Sequence, residues 1–277
     1  MSMQAVQNRT VSPKWMLCVI LLMSVIALFG TTVNAQETET HTYVLVHGAF
    51  QDGSGWADVA PVLEAAGNTV IVVNFPGRGD DTTPITDISL MTYRDAVIAT
   101  IEAQDQSVIL VGHSFGGMVI SAVAEAIPDR IERLVYLAAY LPRSGDSGLS
   151  ISSSEPNAQD AGFIIGDDGY ISLPAEIFPF AFCPDCTPEQ ATIVAESQLR
   201  EPVAPLAEPV TLTDANFGSI AKTYIMTAFD LVLSPKLQIM MLANSPVEQV
   251  FALQTGHVPY ITASEALANL LIQAGAH

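Results

Sequence analysis

The sequence predicts an α/β fold with a mostly parallel central sheet, helices on both faces and one insertion that caps it. Three observations predict this. Short apolar, β-branched runs alternate with stretches of helical periodicity, the pattern of a parallel sheet covered on both sides. The alternation breaks once, between residues 143 and 216, and resumes at Lys222. At "VGHSFGGM", residues 111–118, an apolar run turns directly into a helical one around a single serine.

The first 35 residues stand apart. Arg9 and Lys14 precede an apolar run over 15–29, followed by "GTTVNA" with small residues ending at Ala35. This is the pattern of a secretory signal peptide, with cleavage expected after Ala35. A run of about 15 residues is shorter than the ~20 that span a bilayer. Cys18 lies near the start of the run rather than at the cleavage point, which argues against lipid modification there. The expectation is a single domain over 36–277, exported to the periplasm or beyond, with no stable membrane span once the leader is removed.

In chain order the strand candidates are "YVLVHG", "TVIVVNF", "SVILVG", "RLVYLAA", "KTYIMTAF" and "VEQVFAL". Each is short, apolar and rich in β-branched or aromatic residues. "WADVAPVLEAAG", "MTYRDAVIATIEAQ" and "FGGMVISAVAEAI" read as helices between them, the last stopping at Pro128. Near the end, "SEALANLLIQAG" reads as a helix with a serine cap. The segment 143–216 holds many prolines and serines, a CPDC pair and one good helix in "TPEQATIVAESQLR". Ligands of open α/β sheets bind beyond the carboxyl ends of the strands, so this insertion is expected to cover a site there.

Charge narrows the partners. Loss of Arg9 and Lys14 takes the formal net charge from −19 to −21, because the first 35 residues hold no acidic side chain. Such a surface repels nucleic acid and anionic lipid and favours a neutral or cationic small substrate. Cys183 and Cys186 follow the leader, and an exporting route makes a short-range disulfide the leading reading, with metal binding or free thiols as alternatives. Neither a metal nor an organic cofactor is expected, and oligomeric state is left open.

The serine at 114 carries the chemistry. A strand that turns at once into a helix strains its central residue and needs small neighbours, and Gly112 and Gly116 supply them. The hydroxyl then stands at a helix N-terminus, exposed and polarised. A serine needs a base, and the base needs an orienting acid. Only His257 and the terminal His277 follow Ser114, and His257 lies in a loop just after a strand. Asp230, at the end of "KTYIMTAF", would emerge on the same rim. Asp146 is the second candidate, whereas Asp129 and Asp214 read as solvated loop residues. The backbone N–H of Phe115 and that of Ala49, in "VLVHGAF", are the expected oxyanion donors, and His47 is expected to organise that loop. Phe50 and Trp56 are candidate pocket residues.

Taken together, "HGAF…GSGW", "FPGRGDD", "LVGHSFGGM", "LVYLAAYLP", "FDLVLSPKLQ" and "TGHVPY" resemble the α/β-hydrolase superfamily. Within it they are similar to the small esterase branch that also holds plant methyl-ester hydrolases and hydroxynitrile lyases. The resemblance covers nearly all of 43–275 and is weakest across the insertion. It implies a Ser114, Asp230, His257 triad with Ala49 and Phe115 as oxyanion donors, acting on a small carboxylic ester or lactone. The lyases of the branch usually carry threonine and lysine where this chain has Gly48 and Val258, which favours hydrolysis. A carbon–carbon lyase on the same triad, and a binding protein that has kept the fold without turnover, are the alternative readings.

Overall fold

The computed structural model describes residues 40–155 and 162–276; the expected leader and His277 lie outside the described residues. Six parallel strands form the central sheet: β1 (Thr42–Val46), β2 (Thr69–Val73), β3 (Val108–His113), β4 (Ile131–Leu137), β8 (Lys222–Thr227) and β9 (Gln249–Leu253). All six candidate runs are strands. Their burial follows their place in the sheet. Every residue of the central β3 is buried, as helices on both faces demand, while the edge strands β2 and β9 keep exposed positions.

The strand order is β2-β1-β3-β4-β8-β9. The chain runs outward from β1 to β2, then crosses back to start β3 on the other side of β1. The order therefore reverses between β1 and β3, and their carboxyl ends diverge into a crevice. The loop after β1 and the turn after β3 meet there.

The helices on the sheet are α1 (Ala60–Ala65), α2 (Leu90–Glu102) and α3 (Gly116–Ala126). The first is shorter than its periodicity suggests, because residues 53–56 close a 3-10 turn capped by the Asp52 side chain. A capping box between Ser89 and Thr92 starts α2. Helix α3 is apolar all round and buried over most of its length, as a helix at the centre of the molecule must be.

Between β4 and β8 the chain forms α4 (Gly148–Ser152), β5 (Ile164–Ile165), β6 (Tyr170–Ser172), α5 (Phe178–Phe182), α6 (Pro188–Glu196), β7 (Glu201–Pro202) and α7 (Val203–Ala207). Strands β5, β6 and β7 pair antiparallel into a second sheet. Helix α6 begins with a Thr187–Gln190 capping box and Pro188 in its first turn. The Cys183 and Cys186 sulfurs, between α5 and α6, lie 1.97 Å apart.

Three helices complete the fold: α8 (Pro235–Asn244), capped by Ser234, α9 (Pro259–Thr262) and α10 (Ser264–Gly275). The serine cap expected on α10 is not there. Ser264 is already helical, and Ala263 holds the cap position without a side-chain bond. The tight turn of α9 draws the bend one residue earlier, and Leu267 donates directly to the Ala263 carbonyl at 2.9 Å. Among the described residues no helix is long and apolar enough to cross a membrane.

Candidate active site

Ser114 stands between the end of β3 and the start of α3 with φ 53°. A left-handed backbone costs a non-glycine residue about 1–2 kcal/mol, and here the surroundings fix it. Its N–H donates to the Leu137 carbonyl at 3.2 Å, and its own carbonyl accepts from Gly117 and Tyr140 at 3.0 and 3.1 Å. The nearby glycines serve close approach rather than unusual φ. A Cβ on Gly112 would lie 2.8 Å from the Gly116 carbonyl oxygen, and one on Gly116 would lie 2.7 Å from that of His47. The tightest position is Gly117, where a Cβ would meet the Tyr140 carbonyl oxygen at 2.1 Å.

His257, in the loop after β9, brings Nε2 to 2.8 Å from the Ser114 Oγ and Nδ1 to 2.8 Å from Asp230 Oδ2. Asp230 follows β8, so all three side chains leave the same edge of the sheet. Both carboxylate oxygens of Asp230 are occupied. Oδ1 accepts the N–H groups of Val232 and Leu233, each at 2.8 Å, and Oδ2 accepts the Thr227 hydroxyl at 2.8 Å as well as His257. Gln238 bridges Thr227 and Leu233 and closes the network from α8. His257 is fully buried, Asp230 is 1% exposed, and Ser114, expected to stand exposed, is only 5% exposed because the loop after β1 packs against it.

The loop after β1 lies against the serine: a Cβ on Gly48 would come 2.7 Å from Ser114 Cβ. His47 knits that loop together. Its Nδ1 donates to the Gly48 carbonyl at 2.8 Å, and Nε2 accepts the Phe75 N–H at 3.2 Å. Burial, opposed by the bond to Gly48, pushes the imidazole pKa down to about 4, so it is neutral at ordinary pH. The N–H groups of Ala49 and Phe115 donate to no other described residue. Phe115 also holds the cap position of α3, where the partial positive charge of the helix end is concentrated.

His113 is a neighbour that the sequence reading passed over. Its Nε2 donates to the His257 carbonyl at 2.8 Å, and the two rings lie 4.7 Å apart. Its Nδ1 is buried with no partner among the described residues. Burial first, and then the nearby His257, hold its pKa well below the usual imidazole range. The insertion also touches the histidine loop. The His257 N–H donates to the Phe182 carbonyl at 2.9 Å, the Phe182 ring meets the imidazole edge-on, and Gly256 donates to Asp185 at 2.9 Å.

Not every candidate gathers here. Asp146 pairs with Arg143 at 3.2 Å and lines a separate cavity of about 310 Å³ with Met240 and Met241, while Asp230 holds His257. Trp56 is buried against Tyr260, with ring centroids 5.6 Å apart. Phe50 lies beneath Phe163, Phe178 and Phe182 of the insertion. Among the described residues no cluster of three or more His, Cys, Asp or Glu is arranged to hold a metal ion.

Comparison with known proteins matches this geometry to a family. Residues 43–270 fit the model of the alpha/beta hydrolase family. Over 255 residues the chain is 31% identical to putative methylesterase 11, chloroplastic, of Arabidopsis thaliana, covering 87% of this chain and 65% of that protein. It is 26% identical to methylesterase 8 of the same plant, covering 87% of this chain and 91% of that one. The chain spans only 65%, 57% and 59% of the putative chloroplastic methylesterases 11, 13 and 15. Among solved structures it is similar to a pyrethroid hydrolase from Sphingobium faniae JZ-2, with a TM-score of 0.75, 26% identity, and 86% of this chain and 98% of that one covered. An extracellular alpha/beta-hydrolase from a Paenibacillus species matches with a TM-score of 0.71, 26% identity and coverage of 84% and 98%. The family match over 43–270 takes in all six strands of the central sheet, both strand-end loops at the serine and the insertion between β4 and β8, and the chain belongs to the alpha/beta hydrolase family.

Proposed function

We propose that this chain is an exported serine hydrolase that cleaves a small carboxylic ester or lactone through an acyl-enzyme. The observation that carries the reading is the unbroken line of hydrogen bonds from the Ser114 hydroxyl through His257 to Asp230, each 2.8 Å long. Its likeness to proteins named methylesterases supports the substrate class. The expected leader over 1–35 and the adjacent Cys183 and Cys186 sulfurs support export.

In this mechanism the Ser114 oxygen attacks the ester carbonyl carbon as its proton passes to His257 Nε2. The carbonyl oxygen becomes an oxyanion held by the Ala49 and Phe115 N–H groups. Asp230 keeps the proton on Nδ1, so that Nε2 presents a lone pair, and it stabilises the imidazolium that forms. Collapse of the intermediate breaks the ester C–O bond, and His257 protonates the departing alcohol. Water then attacks the acyl-enzyme, giving its proton to His257. The serine oxygen leaves with that proton and the acid is released.

The test is hydrolysis of a set of p-nitrophenyl esters by wild type and Ser114→Ala between pH 5 and 9. Turnover should vanish in the variant at every pH in that range, while wild type hydrolyses the esters. A folded wild type that hydrolyses no ester, or a Ser114→Ala variant that keeps its turnover, overturns the reading.

A further inference from the structure

The loop after β1 is fastened to the insertion beside a buried ion pair, and Gln51 Nε2 donates to Ser197 Oγ at 3.2 Å next to it. Arg78, in the loop after β2, and Glu201, on β7, are 5% and 1% exposed. Arg78 Nη2 donates to Glu201 Oε2, and Arg78 Nη1 donates to the Arg200 carbonyl at 2.8 Å. The same Glu201 oxygen accepts the Phe50 N–H at 2.8 Å, and the Phe50 carbonyl accepts the Leu199 N–H at 2.7 Å. Both backbone groups of Phe50 are thus held by the insertion. Phe50 itself has φ 64°, a conformation a phenylalanine does not hold unaided.

This arrangement bears on Ala49. Peptide units are rigid planes, so a bond to one polar group anchors one end of a unit and leaves its tilt to the neighbouring dihedrals. His47 holds the Gly48 carbonyl at 2.8 Å and so anchors one end of the plane that contains the Ala49 N–H. Glu201 anchors the next plane through the Phe50 N–H. Ala49 is held from both sides, once by the core and once by the insertion. The ion pair is an expensive way to build mere stability, because burying both charges costs about as much as their attraction returns. Among the described residues, Arg78 Nε and Glu201 Oε1 have no hydrogen-bond partner.

We propose that Glu201, clamped by Arg78, is a positioning residue that aims the Ala49 N–H at the oxyanion, so that the donor pair is complete only while the insertion is seated. This rests on the serine hydrolase reading. It makes the insertion part of the catalytic apparatus and not simply a cover.

The test compares wild type, Glu201→Ala and the double variant Arg78→Met/Glu201→Gln, which buries neither charge yet keeps an acceptor for the Phe50 N–H. Active sites are counted by fluorophosphonate labelling, so that misfolded molecules do not enter kcat. Glu201→Ala should lose about 10²-fold in kcat per labelled site while KM stays within about twofold. Its affinity for phenylboronic acid, whose tetrahedral adduct uses the same donors, should fall in parallel. Amide exchange over residues 49–51 should speed up at least about tenfold, a loss of roughly 1.4 kcal/mol of protection. The double variant should recover most of both. A Glu201→Ala enzyme with unchanged kcat per site, or with unchanged exchange over 49–51, overturns the proposal. Absence of Ser114-dependent turnover in wild type would instead sink the hydrolase reading, and the oxyanion role with it.

Discussion

The imidazole of His113, on the strand that leads into Ser114, donates from Nε2 to the backbone carbonyl of His257 at 2.8 Å. A carbonyl can only accept, so the proton is on Nε2, and Nδ1, without a partner among the described residues, is bare. The bond ties the two chain segments that carry the proposed nucleophile and base. Replacing His113 with alanine should lower kcat about tenfold with little change in KM, through a misplaced His257. It should also cost roughly 2–4 kcal/mol of stability, for a lost buried hydrogen bond and a cavity. Steady-state kinetics and chemical denaturation check both, and kcat unchanged in the folded variant would leave His113 a packing residue only.

Asp230→Asn should be far more damaging to turnover than to folding. Oδ1 accepts two backbone N–H groups, so the asparagine oxygen must stay on that side, and its NH₂ is forced toward His257 Nδ1. The imidazole then has to accept at Nδ1 and carry its proton on Nε2, facing the serine as a donor. A fall of about 10⁴-fold in kcat is expected, as for other wrong-tautomer variants. A folded variant, judged by its circular dichroism and melting temperature, that kept a tenth of wild-type kcat would contradict this role for Asp230.

The six central strands could be read from the chain because each is a short run dominated by apolar and β-branched residues, most continuous in the central β3, which is buried along its whole length. Ser114, Asp230 and His257 could be read for a related reason: each lies within four residues of the carboxyl end of such a run, and parallel strands deliver those ends to one rim. Contacts that depend on distant segments left no local trace. Arg78 and Glu201 are 123 positions apart, and β5 and β7 are two residues long, too short for any periodicity. His113 was in plain view inside "VGHSF", but nothing in the sequence says that its ring turns toward a carbonyl 144 positions away.

Acid should destabilise the fold well before its exposed carboxylates titrate. Burial brings the His47 pKa down to about 4 and holds His113 well below its ordinary value. In the unfolded chain both titrate near ~6.5, so below that pH the unfolded state binds more protons and stability falls as pH drops. Above that pH the effect is flat. For His47 the loss amounts to about 3 kcal/mol by pH 4. Urea midpoints should therefore decline between pH 7 and 4.5, and less steeply in His47→Gln. Equal slopes in the two proteins would contradict a neutral buried His47.

The Cys183–Cys186 segment packs on the loop of the proposed base, since Phe182 accepts the His257 N–H and Asp185 accepts that of Gly256. Loosening it should therefore affect catalysis as well as stability. Cys183→Ser/Cys186→Ser is expected to lose about 2 kcal/mol, the chain-entropy value for so short a loop, and a few-fold in kcat. Denaturation and kinetics on the double variant, beside wild type with and without dithiothreitol, decide it. Identical behaviour in all samples would mean that the two sulfurs are not linked, or that the link braces nothing.

The proposed mechanism requires a covalent bond to one oxygen, that of Ser114. Wild-type protein mixed with p-nitrophenyl acetate and quenched in acid during turnover should carry one acetyl group, and peptide mapping should place it on Ser114. Asp230→Asn should accumulate less of it, and Ser114→Ala none. Turnover with no acyl group on Ser114 under any quench, or the same acyl group on a Ser114→Ala protein, would contradict the mechanism.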